Sequence, residues 1–355
     1  MALLFTDSFD HYTNLAEKYD SVLLTHGGAV MSISESAARE AGGGGLSVVN
    51  SGTNYCYCNK GIPTSSTVIV GFAFSSNSTG EMILLALSDT TNCQVFFVIQ
   101  TNGFIQAYTQ PVVSFNDLTG ATLLGTSSVP VPLGGVWTYL EFETTFSTTA
   151  GSITVRMNGI NVMSLTGVNT QVTANASVNN FTLGYQWAIP VSSVTFYIDD
   201  LYVLNNSGSF NNAFLGDVHV VALLPTGAGE STEWTPNGAG ADWECVDDNP
   251  PNEGTTYISS STVGAKDMYT LSSLPNAGTV HGVMVSSYST KDQAGTRTLT
   301  HVVKDTISGN EVQSTQVAPG TSLHFLSTTF DTDPSGNNWS YAEVNQMQVG
   351  VEVAS

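Results

Sequence analysis

Apolar side chains recur at every second position through much of this chain. Val68, Val70, Phe72 and Phe74 share one parity, as do Ile153, Val155 and Met157, then Val194, Phe196 and Ile198. Later runs are Val283 with Val285, Leu299 with His301 and Val303, and Met347, Val349, Val351 and Val353. A period of two places successive side chains on opposite faces of an extended backbone, so each run predicts a strand with one buried face. Val218, Val220, Ala222 and Leu224 read the same way. Met82 to Leu87, Gln94 to Ile99 and Phe104 to Tyr108 add further strands, separated by clusters of Gly, Asn, Ser and Thr. Asn158-Gly159 supplies the two positive-φ residues of a tight hairpin, and Ile160 and Val162 open its return strand. Only Trp339 to Asn345, after Asp333-Pro334-Ser335-Gly336, predicts a helical turn. Short strands at this spacing, with no amphipathic helix between them, predict an all-β chain built from antiparallel β-sandwiches of jelly-roll type.

One strand breaks its own parity. Val194, Phe196 and Ile198 keep one phase and Leu201 and Val203 the other, so a residue is inserted near Asp199-Asp200, and a β-bulge is expected there. The following tract, 206–215, is polar and rich in turn formers, which predicts a linker. The 355 residues exceed what one core normally holds. The expected organisation is a sandwich over 1–205, the linker, and a second sandwich over 216–355 that serves attachment or assembly. No internal repeat joins the halves.

Charge narrows the partners. The net charge is −21 with only eight Lys plus Arg. Such a surface repels phosphate backbones and anionic lipid, so neither nucleic acid nor membrane is an expected partner. The start lacks a signal-peptide pattern, since Met1 to Phe5 is short and Asp7 and Asp10 follow, and no run approaches the length of a membrane span. Residues 1–205 hold 13 acidic and 4 basic side chains and 206–355 hold 16 and 4, so the second part is the more acidic. Cys56, Cys58, Cys93 and Cys245 have no zinc spacing and are expected as reduced structural thiols of a chain made in a cytoplasm. A bridge from Cys56 or Cys58 to Cys93 would need the fold to bring them together.

Several groups invite chemistry. Glu141 and Glu143 lie two apart on one strand, roughly 6–7 Å, near the spacing of glycosidase carboxylates; the competing reading is a solvated sheet face, which we favour. Asp199 and Asp200 are the candidate cation or rim site, where a structural calcium competes with a hydrogen-bonded bulge. Asp242, Glu244, Asp247, Asp248 and Glu253 form the densest acidic cluster, read as a solvated loop before a cation site or a basic partner's target. His219, His281, His301 and His324 fall on separate predicted strands without ligand spacing, so no metal site is expected. Gly42 to Gly45 lacks the following Lys-Ser/Thr of a phosphate loop. Trp187, Trp234 and Trp243 are the candidate glycan or partner contacts, with core packing as the plainer role; Trp339 belongs to the same set.

The tract from Trp137 to Val203 resembles the laminin G-like branch of the concanavalin A-like lectin/glucanase superfamily. It has the tryptophan-led strand, the Asn-Gly hairpin, the Leu183-Gly184 strand and the Ile198-Asp199-Asp200 ending. Glucanases of that superfamily carry a third acid within the catalytic strand, where this chain has Phe142. A second resemblance, to phage and prophage virion proteins, rests on the Asn211 to Val220 run, Leu224-Pro-Thr-Gly, Trp234-Thr-Pro, Val246-Asp247-Asp248, Lys291 to Arg297 and Gly350 to Val353, with Thr6 to Tyr12 at the start. His219 stands where that run has arginine. These resemblances imply a tailed-bacteriophage structural protein, not an enzyme. It would be a capsid decoration or tail-associated protein on the virion, made in the host cytoplasm and not secreted. Its partners would be major capsid or tail proteins and further copies of itself as a homo-oligomer. The alternatives are a tail adhesin that binds host surface glycan and, third, a glycoside hydrolase. No cofactor is expected.

Overall fold

The computed structural model describes residues 2–90, 92–109, 120–184, 191–252 and 254–355. The chain is all-β, and every strand pair among the described residues is antiparallel. It divides into two compact units. The first comprises Ala2–Phe9 with Thr13–Val220; the second comprises Asp10–Tyr12 with Val221–Ser355. Residues 206–215, expected as a linker, travel with the first unit.

The first unit is a sandwich of a nine-stranded and a seven-stranded sheet. The nine-stranded sheet runs Ile160–Val168, Gly151–Met157, Thr138–Thr145, Thr67–Ser76, Val191–Asn205, Gly45–Gly52, Ala29–Ser34 and Thr25–His26, with Leu3–Asp7 added alongside Val191–Asn205. The other sheet centres on Asn92–Ile99, Met82–Asp89 and Val178–Gly184. The inner faces interlock through aromatic rings: Phe142 lies 4.7 Å from Phe97 and 5.6 Å from Phe72, and Phe5 lies 5.9 Å from Phe181. The Asn158-Gly159 hairpin forms as expected, with φ of 49° and 78°.

Every residue of the central strand Thr67–Ser76 is buried. One parity faces the sandwich core. The other parity, Ile69 and Ala73, packs with Leu3, Tyr139, Tyr202 and Leu204 on the outer face, which Trp137, Phe214, Leu215 and Val218 cover. Gly71 sits between those two residues because a Cβ there would meet the Tyr202 ring at 2.3 Å. The expected strand through Val218 to Leu224 therefore does not form. Its residues through Val220 lie over the sheet without joining it, and the strand begins only at Pro225–Thr232. Alternation there reflects a covering segment with one apolar side.

The second unit has a five-stranded sheet, in the order Pro225–Thr232, Lys266–Leu271, Gln348–Val353, Leu299–Lys304 and Glu311–Gln313. A separate two-stranded sheet, Val283–Ser289 with His324–Phe330, reaches the larger one through His301, whose Nε2 and Nδ1 lie 2.9 Å and 2.8 Å from the hydroxyls of Ser287 and Thr328. The core gathers Val285, Val303, Phe330, Trp339, Val344 and Met347. The expected helical turn is Tyr341–Val344, started by a capping box between Ser340 and Glu343. All four cysteines are free and buried. Burial pushes the Cys56 thiol up to about 12 and Cys58 well above its ordinary range, so neither is an activated nucleophile.

Candidate functional site

The expected bulge is present. Asp199 pairs with Ala73 and Tyr202 with Gly71, so Asp200 and Leu201 together oppose Phe72, one extra residue falls in the gap, and Asp200 adopts φ 52°. That turn aims both carboxylates at one residue, Arg39, Asp199 at its backbone amide and Asp200 at its guanidinium. The Arg39 backbone N–H donates to Asp199 Oδ2 at 2.7 Å, and its Nη1 donates to Asp200 Oδ2 at 3.0 Å. Asp199 Oδ1 also accepts from the Asp200 amide at 2.7 Å. Arg39 Nη2 forks onto Asp217 at 2.8 and 3.0 Å, and Nη1 donates to the Val218 carbonyl at 3.3 Å. Asp200 Oδ1 accepts from the Val220 amide at 2.8 Å. A guanidinium thus occupies the role that calcium would take at a rim of carboxylates.

The electrostatics follow from this burial. Desolvation works against the Arg39 cation, but hydrogen bonds and charge from Asp217 and Asp200 outweigh it and hold the group above its ordinary value. Asp200 is raised because burial outweighs the Val220 amide, His219 and Arg39. His219 Nδ1 lies 3.3 Å from Asp200 Oδ2 and 3.5 Å from Glu40, so this exposed histidine stands on the same cluster and not on a strand.

Glu141 belongs to the same outer face. It shares that face with Glu143, as the spacing predicts, but the face is not solvated. Glu141 is fully buried. Its Oε1 accepts from the Tyr202 hydroxyl at 2.5 Å and from the Gly216 amide at 2.8 Å, while Oε2 has no hydrogen-bond partner among the described residues. Leu215 N–H donates to the same Tyr202 oxygen at 3.3 Å, and the Arg156 guanidinium lies 4.3 Å from the Phe214 ring centroid. The covering segment 214–220 accounts for the correction, because its backbone amides replace the water that an open sheet face would carry. Glu143 is half-buried and raised by desolvation, which Arg156 partly offsets. Tyr139 closes the group: its ring stacks on Tyr202 with centroids 6.3 Å apart, and its hydroxyl donates to the Asp200 carbonyl at 2.9 Å.

The remaining candidates lie elsewhere. Trp234, half-buried in the second unit, donates Nε1–H to the Ala265 carbonyl at 3.0 Å, and half-buried Trp243 opens the short 3-10 helix Trp243–Cys245. Trp187 and Glu253 lie outside the described residues. Within the acidic cluster, Glu244 accepts from the Ala241 amide and Asp248 from the Thr256 hydroxyl. Among the described residues no three His, Cys, Asp or Glu side chains are grouped to hold a metal. Sequence reasoning missed Arg39, although its scarcity was a signal: it is one of only four basic residues in 1–205.

No protein-family model matches the chain, and no curated protein matches it. Among solved structures it is similar to a sialidase at 11% identity, over 56% of this chain and 18% of that one, with a TM-score of 0.37. It is also similar to the alginate lyase Aly36B at 12% identity, over 57% and 96%, TM-score 0.37. A third is a carbohydrate esterase from Shiga toxin-encoding bacteriophage phi24B, at 13% identity over 57% and 100%, TM-score 0.34. The functional reading rests instead on this chain's own residues.

Proposed function

We propose that this protein is an exterior structural component of a tailed-phage virion that works by protein–protein binding and not by catalysis. The observation that carries this reading is the state of the carboxylates. Glu141, the best candidate for hydrolysis, is sealed beneath the Gly216 amide and bonded to Tyr202, so no substrate oxygen reaches it. Asp199 and Asp200 are committed to Arg39 and to backbone amides. Groups spent on holding a sheet together build a rigid body, and a rigid acidic β-scaffold suits a solvent-facing position better than one packed against DNA. The particle context comes from the virion-like runs between Asn211 and Val353 and at Thr6 to Tyr12.

The test is location. Purified particles imaged by cryo-electron microscopy should carry the protein outside the capsid or on the tail at a copy number that matches a symmetric site. Absence from purified particles would overturn the reading. Specific sugar capture by the first unit on a glycan array would favour the adhesin, and polysaccharide cleavage lost in Glu141→Gln would favour the hydrolase.

A further inference from the structure

Asp7 and Lys18 are the most enclosed ion pair among the described residues: Lys18 Nζ lies 2.9 Å from Asp7 Oδ1, with side-chain exposures of 1% and 0%. The backbone fixes both ends. Asp7 closes the strand Leu3–Asp7, which pairs with Leu201–Leu204. Lys18 follows the 3-10 helix Leu15–Glu17, its amide donates to the Leu15 carbonyl, and its own carbonyl accepts from Lys60 Nζ at 2.9 Å. Around them the walls are aromatic. The Phe5 ring centroid is 5.4 Å from Lys18 Nζ, and Phe5 in turn packs on Tyr19 and Phe181. The Tyr19 hydroxyl donates to Asp7 Oδ2 at 3.1 Å, and the Phe9 amide donates to Oδ1 at 3.0 Å.

Such an enclosure penalises the charged forms of both groups, which favours passing one proton from the ammonium to the carboxylate. That transfer would leave a neutral amine beside a neutral acid, and the 2.9 Å contact, held by two backbone segments, supplies the proximity an amide-forming reaction needs. We infer that Lys18 and Asp7 join in the folded protein through an intramolecular amide bond. The Nζ lone pair attacks Asp7 Cγ, forming the C–N bond. The negative charge that develops on Oδ2 is met by the Tyr19 hydroxyl. A second proton leaves nitrogen for the departing hydroxyl, the C–O bond breaks and one water is released. No oxidant, cofactor or further reactant is required.

The experiment is mass spectrometry on the full-length protein, folded, then denatured and digested with trypsin. The bond predicts an intact mass lower than the sequence value by one water. It also predicts no cleavage after Lys18, so that residues 1–39 appear as one looped peptide bearing the loss. Lys18→Arg keeps the positive charge but cannot make the amide, and should restore the full mass. An intact mass equal to the sequence value would overturn the inference. So would loss of water with normal cleavage after Lys18, which marks a succinimide at Asp7.

Discussion

The two units bury polar groups in opposite ways. In the first, the central strand Thr67–Ser76 is covered on both faces, and charge is buried as ion pairs and hydrogen-bonded carboxylates: Asp7 with Lys18, and the outer-face group of Arg39, Asp199, Asp200 and Glu141 that pins the segment 214–220. In the second, a histidine sits inside: His301 is wholly buried between Ser287 and Thr328. A large sandwich can wrap its sheet twice in apolar surface and use charge as a fastening. A smaller body with fewer apolar side chains places hydroxyls and an imidazole where the larger one places rings. The first unit should therefore respond to loss of volume and the second to pH.

The largest effect should come from Phe142→Ala, which removes the ring between Phe72 and Phe97. The expected loss is about 3–5 kcal/mol, read as faster amide hydrogen exchange in Thr138–Thr145 while Leu299–Lys304 stays protected. Matching losses in both units would break the comparison. Next, burial lowers the His301 pKa from 6.5 to about 4. The unfolded chain then binds a proton that the folded unit refuses, so stability falls as pH drops through that window, by about 3 kcal/mol in all. Denaturant midpoints of the second unit against pH should show this slope, and His301→Gln should flatten it.

Arg39→Ala leaves the Asp200 carboxylate without its guanidinium and should cost about 2–3 kcal/mol in the first unit. Burial already raises the Asp200 pKa, so its contribution is present at low pH and lost as pH rises through the folded value. The Arg39→Ala penalty should accordingly be larger at neutral than at acid pH, as chemical denaturation at the two pH values would read. Asp217→Asn should be the mildest, below about 1 kcal/mol, because Asp217 is 48% exposed and solvent screens the pair. A loss as large as that of Arg39→Ala would place the anchoring charge at Asp217 and not at Asp200.

The strands, the Asn158-Gly159 hairpin and the bulge at Asp199-Asp200 were legible because each is a local event, written in the parity of neighbouring residues. The fate of Glu141 was not, since its partner Gly216 lies 75 positions away and contributes a backbone amide that carries no sequence signal. Val218 to Leu224 misled for a related reason. Alternation marks a one-sided apolar ribbon, and a ribbon laid over a sheet alternates as well as one hydrogen-bonded into it. Arg39 was hidden because nothing local tells which carboxylate a lone cation will choose.

Asp10–Tyr12 belong to the second unit, where Tyr12 and His11 lie 5.6 Å and 5.3 Å from the Phe325 ring. During translation these residues leave the ribosome long before Phe325 exists, so a piece of the later unit must wait, already tethered within the earlier one, for its aromatic neighbour to be synthesised. A fragment beginning at Val221 would lack that piece, and dissecting this protein calls for a graft of the early tripeptide, not a single cut.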